Sequence, residues 1–267
     1  MTAVQLLRAA REKTSVRFLL LQAGLAAAAF LLFLLWLRIP DANSAEVLLS
    51  ALLAIASLLT ATGGEAWLLL RVHGTRATCA SLVRGAFAIL LAIVLLFPLS
   101  ALLDHISIND SQRAGYLNSQ LSANMRHILT YPRLMTLFHQ AWASLFWAVA
   151  IVLAMVAVAV TVARKPLQAV GRMLQSLTAW VLLSLFTIVA SEATLRLLHW
   201  TPGHGLGLET TSLLVRIALT ILLDAWLLCF SLALLVVLAE QSDARYIPAA
   251  TDGGTPDLSQ PRTVGRP

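Results

Sequence analysis

Charged side chains are scarce in this sequence. They make up 12% of its 267 residues, against about a quarter in a soluble domain. Apolar residues account for 59% and mean hydropathy is +0.81. A globule of that composition could not cover its own surface with polar groups, so water is excluded as the main solvent and an integral membrane protein is expected. Short segments of alternating polarity are also missing, which excludes a transmembrane β-barrel. Only Cys79 and Cys229 carry thiols. Neither has a CxxC neighbour, so no disulfide framework or zinc site is indicated, and both read as small packing residues.

Catalytic signatures are missing too. There is no Walker A motif, no GxSxG elbow and no HExxH pair. Gly203, Gly205 and Gly207 in PGHGLGLE do not complete a GxGxxG, and they lie between apolar runs rather than in a βαβ unit. His105, His127, His139, His199 and His204 gather toward one side of the chain's layout, near Asp104, Asp110 and Glu209. Their spacing matches no metal motif, and they read as interfacial or loop residues. An intramembrane hydrolase would need paired carboxylates, or a His–nucleophile set, at one depth, and none can be assembled. The expectation is a protein that is not an enzyme and carries no cofactor and no metal.

What the sequence has is long apolar runs. Windows of about 20 apolar residues place six spans at about 18–37, 47–70, 82–103, 137–163, 173–198 and 213–238. Leu, Ala and Val dominate these runs, and Arg and Pro bound them. The fold class that follows is all-α: a polytopic bundle of six transmembrane helices, residues 1–246 forming one membrane domain. The first run is too long for the 7–15-residue core of a cleavable signal and lacks a good A-x-A site behind it, so it reads as a retained span. Small residues such as Gly24 and Ala28 would let it approach a neighbour closely.

The formal net charge is +6, but the basic residues are dispersed in short groups between spans. That pattern argues against nucleic acid and for membrane orientation. Arg8, Arg11, Lys13 and Arg17 precede span 1; Arg71, Arg76 and Arg84 follow span 2; Arg164, Lys165 and Arg172 separate spans 4 and 5. The other connections are poorer or more dilute in basic residues. Both termini are therefore expected in the cytoplasm, in a bacterial-type inner membrane. Between spans 3 and 4, Ala114, Leu117, Leu121, Met125 and Ile128 recur at helical spacing, with Asn109, Asp110 and Ser111 as capping candidates and Pro132 as a stop. This predicts a short amphipathic helix that anchors on the outer face, or else a lid over a site. Residues 247–267 are rich in Pro, Gly, Thr and Asp and are expected to be a disordered cytoplasmic tail.

An ionisable group at mid-bilayer costs about 2.5–3.5 kcal/mol on insertion scales, so each needs a partner or a purpose. Glu65 lies in LTATGGEAWLLLR, level with Arg84 across the 2–3 hairpin, and an ion pair is expected there. Gly63 and Gly64 could loosen that helix, and a broken helix lining an ion path is the alternative. Glu192 has Arg196 one turn away and Arg216 level across the 5–6 hairpin. Asp224 has no Lys or Arg within a turn of its own helix and faces Ser184 and Thr187 at its depth. It would serve either as a hydrogen bond between helices or as a site for a proton or cation.

Three echoes, Glu65-Ala66-Trp67, Gln140-Ala141-Trp142 and Asp224-Ala225-Trp226, fall on the second helix of successive hairpins. They suggest three tandem two-helix units, although the echoes sit at different depths. Two functions are weighed, the first of them favoured and the second its alternative. One is a non-enzymatic membrane component, either a transport-associated subunit or an assembly or scaffold protein, associating with lipid and with a protein partner or a second copy. The other is a small secondary transporter using Asp224, aided by Glu65, for proton or cation coupling.

Overall fold

The computed structural model describes residues 3–40, 42–199 and 205–244, with the side chains of 198, 206 and 242–244 excepted. Ten helices follow in order: α1 (Ala3–Lys13), α2 (Val16–Leu37), α3 (Ser44–His73), α4 (Cys79–Ser107), α5 (Asp110–Gln120), α6 (Ala123–Ile128), α7 (Tyr131–Val162), α8 (Pro166–Gln175), α9 (Leu177–His199) and α10 (Leu206–Ala244). Among the described residues there is no strand. Six helices, α2, α3, α4, α7, α9 and α10, are long and apolar enough to cross a membrane. The shortest useful comparison is α2: 22 residues at ~1.5 Å each span about 33 Å, enough for the hydrocarbon layer. The chain is thus an all-α polytopic membrane protein.

Local chemistry sets the helix ends. Ser15 caps α2 through Phe18 N, Asn43 caps α3 through Glu46 N, and Thr78 with Ser81 forms a capping box at α4. Gly74 ends α3 in the left-handed region, φ 79°, where a Cβ would be strained.

The spans pair as three antiparallel hairpins, α2–α3, α4–α7 and α9–α10. Six crossings bring α1 and the end of α10 to one side, called the near side here; α5 and α6 mark the far side. The core lies almost wholly in the near half. Leu69, Met155, Val158, Leu183 and the run Leu232–Ala239 pack there together with Leu6 and Ala10 of α1 and Ala169 and Met173 of α8. Glu240 of α10 joins the layers, accepting from Lys13 Nζ at 2.7 Å and meeting His73 Nδ1 at 3.0 Å. In the far half, the spanning helices leave most of their apolar side chains uncovered by protein.

Several expectations are corrected. The span placed at 173–198 begins at Leu177, because Ser176 caps α9 through Ala179 N (3.3 Å) and ends a separate amphipathic helix, α8. The segment between spans 3 and 4 is two helices, not one. Asp110 and Ala114 of α5 are buried, whereas Met125 and Ile128 of α6 are exposed. Pro132 sits in the first turn of α7 and starts that helix rather than stopping its predecessor. Gly24 meets nothing within 4 Å. The close approach occurs instead at Gly85, where a Cβ would stand 2.9 Å from Thr161 Cγ2 and 3.0 Å from Ala66 Cβ. Residues 247–267 and His204 lie outside the described residues.

Thr161 and Ala66 are 1% and 0% exposed, so neither can give way. Gly85→Ala is expected to destabilise the α3–α4–α7 junction by about 1–3 kcal/mol, seen as a lower unfolding midpoint in detergent micelles. Gly24→Ala should leave that midpoint unchanged or slightly raised; equal behaviour of the two variants would refute the packing argument.

Candidate intramembrane site

Polar residues inside the spans are few enough to trace one by one. The seam between α2 and α3 carries three side-chain hydrogen bonds. At the far end Trp36 Nε1 donates to Ser50 Oγ at 2.8 Å, and further in Ser57 Oγ donates to the Ala29 carbonyl at 3.4 Å. Toward the near side Gln22 Nε2 donates to Glu65 Oε1. Gln22 is 1% exposed. Its own Oε1 and the second carboxyl oxygen of Glu65 are buried with no hydrogen-bond partner. One turn away, Phe18, Leu68 and Cys229 close the junction of α2, α3 and α10, with Cys229 Sγ directed at the Phe18 carbonyl, 3.9 Å away.

The expected Glu65–Arg84 ion pair is not formed. Level position along a hairpin does not fix the face of each helix: Glu65 turns toward α2, while Arg84 Nη2 donates to the Thr161 carbonyl on α7 at 3.4 Å. Nor is α3 broken at Gly63 and Gly64; it runs continuously from Ser44 to His73. At Gly64 a Cβ would overlap the Leu25 side chain, so this glycine serves the seam with α2. Glu192 takes its pair from its own helix, Arg196 Nε to Oε1 at 2.9 Å, with both side chains exposed. Such a pair is worth about 0.3–0.5 kcal/mol at most. Arg216 Nε donates to the Ser212 carbonyl one turn back at 3.3 Å.

Asp224 stands on the wall of a cavity of about 320 Å³ between α2, α7, α9 and α10. Thr194 Oγ1 of α9 donates to its Oδ1 at 3.1 Å. Of the hydroxyls expected at its depth, Thr187 lies on the cavity wall but donates to the Leu183 carbonyl, and Ser184 does not line the cavity; the partner is Thr194, seven residues further along α9. The same wall carries Gln22, Ser231, Trp147 and Phe186. Gln22 therefore links the Asp224 cavity to Glu65: its amide nitrogen is committed to the carboxylate and its oxygen is free. Two of the three acidic candidates, Asp224 and Glu65, converge on one region, and Glu192 stays apart.

Gln22 was the residue that sequence reasoning overlooked. Its signal was present, since it is the one hydrogen-bonding amide in the apolar run 18–37. A second cavity, of about 380 Å³, lies on the far side between α4, α5 and α7, and it shares Trp147 with the first. No group of three or more His, Cys, Asp or Glu side chains able to hold a metal occurs among the described residues.

Comparison with protein families, with curated proteins and with solved structures found no match. The site must be read from its own chemistry. Removing one partner of a buried polar pair strands the other at roughly 1–3 kcal/mol, whereas replacing both can be near neutral. Gln22→Leu and Glu65→Leu are each expected to lower the unfolding midpoint in detergent, and the double variant to recover most of the loss. Simple additivity in that double-mutant cycle would show that the pair is not coupled.

Proposed function

We propose that this membrane protein is a small secondary transporter in which Asp224 binds the coupling proton or cation and the Gln22–Glu65 pair supports the same cavity from behind. The observation that carries the reading is the placement of Asp224. Its carboxylate opens onto a cavity in the middle of the spanning region, with hydroxyl and amide groups around it and no cation among the residues lining that wall. A carboxylate kept at such depth costs free energy that packing alone need not incur, since an apolar residue would pack there as well. Transporter sites lie near the bilayer midplane where helical repeats meet, and this cavity lies between helix hairpins, although its helices are continuous. The basic residues of α1 and of the α3–α4 and α7–α8 connections favour the near side as cytoplasmic. A bacterial-type inner membrane suits that arrangement.

A second reading has an observation of its own. Asp224 is exposed, and so are many apolar side chains along α2, α3 and α4. A non-enzymatic component, a transport-associated or scaffold subunit, would have these faces covered by lipid and by a partner or a second copy. In that role Asp224 would bond to a polar group on a neighbouring helix.

The two readings differ in the water accessibility of Asp224. Asp224→Asn should insert and accumulate as the parent does, because Thr194 can still hydrogen-bond to an amide oxygen. Asp224→Cys, in a background lacking Cys79 and Cys229, should react with a membrane-impermeant thiol reagent in intact vesicles. Complete protection from both sides, together with a partner that co-purifies in mild detergent, would leave the subunit reading and remove the transporter.

A further inference from the structure

The far-side cavity is built differently from a packing defect. It lies between α4, α5 and α7 and holds about 380 Å³, within the ~300–1,000 Å³ of small-molecule sites. Trp142, Phe146 and Trp147 of α7 form one wall, and Asp104 of α4 stands opposite. Phe146 and Trp147 meet edge to face, ring centroids 5.6 Å apart and planes at 78°, an arrangement that aromatic pairs prefer. Trp142 is held by a different device. Its indole N–H donates to Asp110 Oδ2 at 2.7 Å, and Arg113 holds the other oxygen of Asp110 at 3.0 Å. Asp110 is 4% exposed; with both oxygens engaged and its charge answered by Arg113, it acts as the clamp on the ring.

Asp104 has no such arrangement. It is exposed, its carboxylate makes no hydrogen bond or ion pair among the described residues, and no Lys or Arg lines the cavity. The wall also carries His139 and the clamped Asp110; a carboxylate without Lys or Arg, set opposite three aromatic side chains, favours positive charge on an apolar body. An anion would be repelled. A hard cation such as Ca²⁺ or Mg²⁺ would want about six oxygen ligands, and among the described residues no three His, Cys, Asp or Glu side chains are grouped to hold a metal ion. Aromatic faces attract an organic cation directly, most strongly where water is thinned out.

Trp147 also lines the Asp224 cavity, where Phe186 and a second carboxylate without a cationic neighbour repeat the combination. We propose that the far-side cavity is a binding site for a lipophilic organic cation, and that Asp104 and Asp224 are successive stations for it on either side of Trp147. The first half of this statement stands by itself; the second rests on the transport reading.

The test uses the full chain in lipid nanodiscs, titrated with benzyltrimethylammonium and, as a neutral isostere, neopentylbenzene, by calorimetry. Saturable binding of the cation is expected, with no matching isotherm for the neutral compound. Asp104→Asn should weaken cation binding roughly five- to tenfold, the loss of one exposed charge–charge attraction. Because Asp104 is exposed and bonds to nothing through its carboxylate, that variant should keep the parent's unfolding midpoint. Trp142→Leu should weaken binding as well. Equal binding of the neutral compound, or unchanged affinity in Asp104→Asn, would overturn the site. The two halves separate cleanly. Asp104-dependent binding with a thiol at position 224 shielded from water leaves the site and removes the path; an accessible position 224 without Asp104-dependent binding removes the site and the two-station path, and leaves the transport reading standing.

Discussion

A polar group carried into the hydrocarbon layer must find its partner within the protein, and this requirement governs the molecule at every scale. For the backbone it leaves helices as the solution, since each amide is satisfied inside its own segment. For side chains it works through the hairpins. Trp36–Ser50, Ser57–Ala29 and Gln22–Glu65 tie α2 to α3, Arg84 reaches the Thr161 carbonyl to tie α4 to α7, and Thr194 meets Asp224 between α9 and α10. Most of these bonds close completely. The exceptions are informative: the free oxygens of Gln22 and Glu65 and the open carboxylate of Asp224 mark where the requirement is left partly unmet.

The two halves of the bundle are built to different densities. On the near side α1 and α8 lie against the spans, and the core is continuous from Leu6 to Ala239. Glu240 draws Lys13 and His73 into that layer, so that α1, α3 and α10 are joined where they end. Gly85 removes a side chain at the one place where α3, α4 and α7 come closest. Beyond that core the helices separate enough to leave the Asp224 cavity at mid-span and the α4–α5–α7 cavity on the far side, with Trp147 lining both.

How far the sequence could be read depended on how local the controlling physics was. The six spans were legible because length and apolarity suffice to define them. The caps at Ser15, Asn43 and Thr78 obey equally local rules, although the capping candidates picked out from the sequence were Asn109, Asp110 and Ser111, and Asn109 makes no side-chain cap bond. The Glu192–Arg196 pair was legible because a helix by itself sets a four-residue spacing. By contrast, Met173 and Leu174 at the end of amphipathic α8 were counted into the span of α9, since a hydropathy window does not register the single residue, Ser176, at which one helix ends and the next is capped. The Glu65–Arg84 pair failed for a related reason. Depth along a hairpin comes from counting, but the rotation of each helix comes from packing, and Gly64 seated against Leu25 turns Glu65 toward Gln22.

The amino-acid pattern by itself determined that the chain crosses a membrane six times as helices, and that Asp224 and Glu65 are the acids in need of explanation. Both follow from transfer free energies that act residue by residue. The tertiary structure alone decided which groups meet: that Gln22 stands between Glu65 and the Asp224 cavity, that Asp110 is spent on holding Trp142, and that Asp104 is left open. Those outcomes depend on the azimuth of each helix against its neighbours. Azimuth is set by side chains fitting together across the seams, a property of pairs of distant residues that no window along the sequence contains.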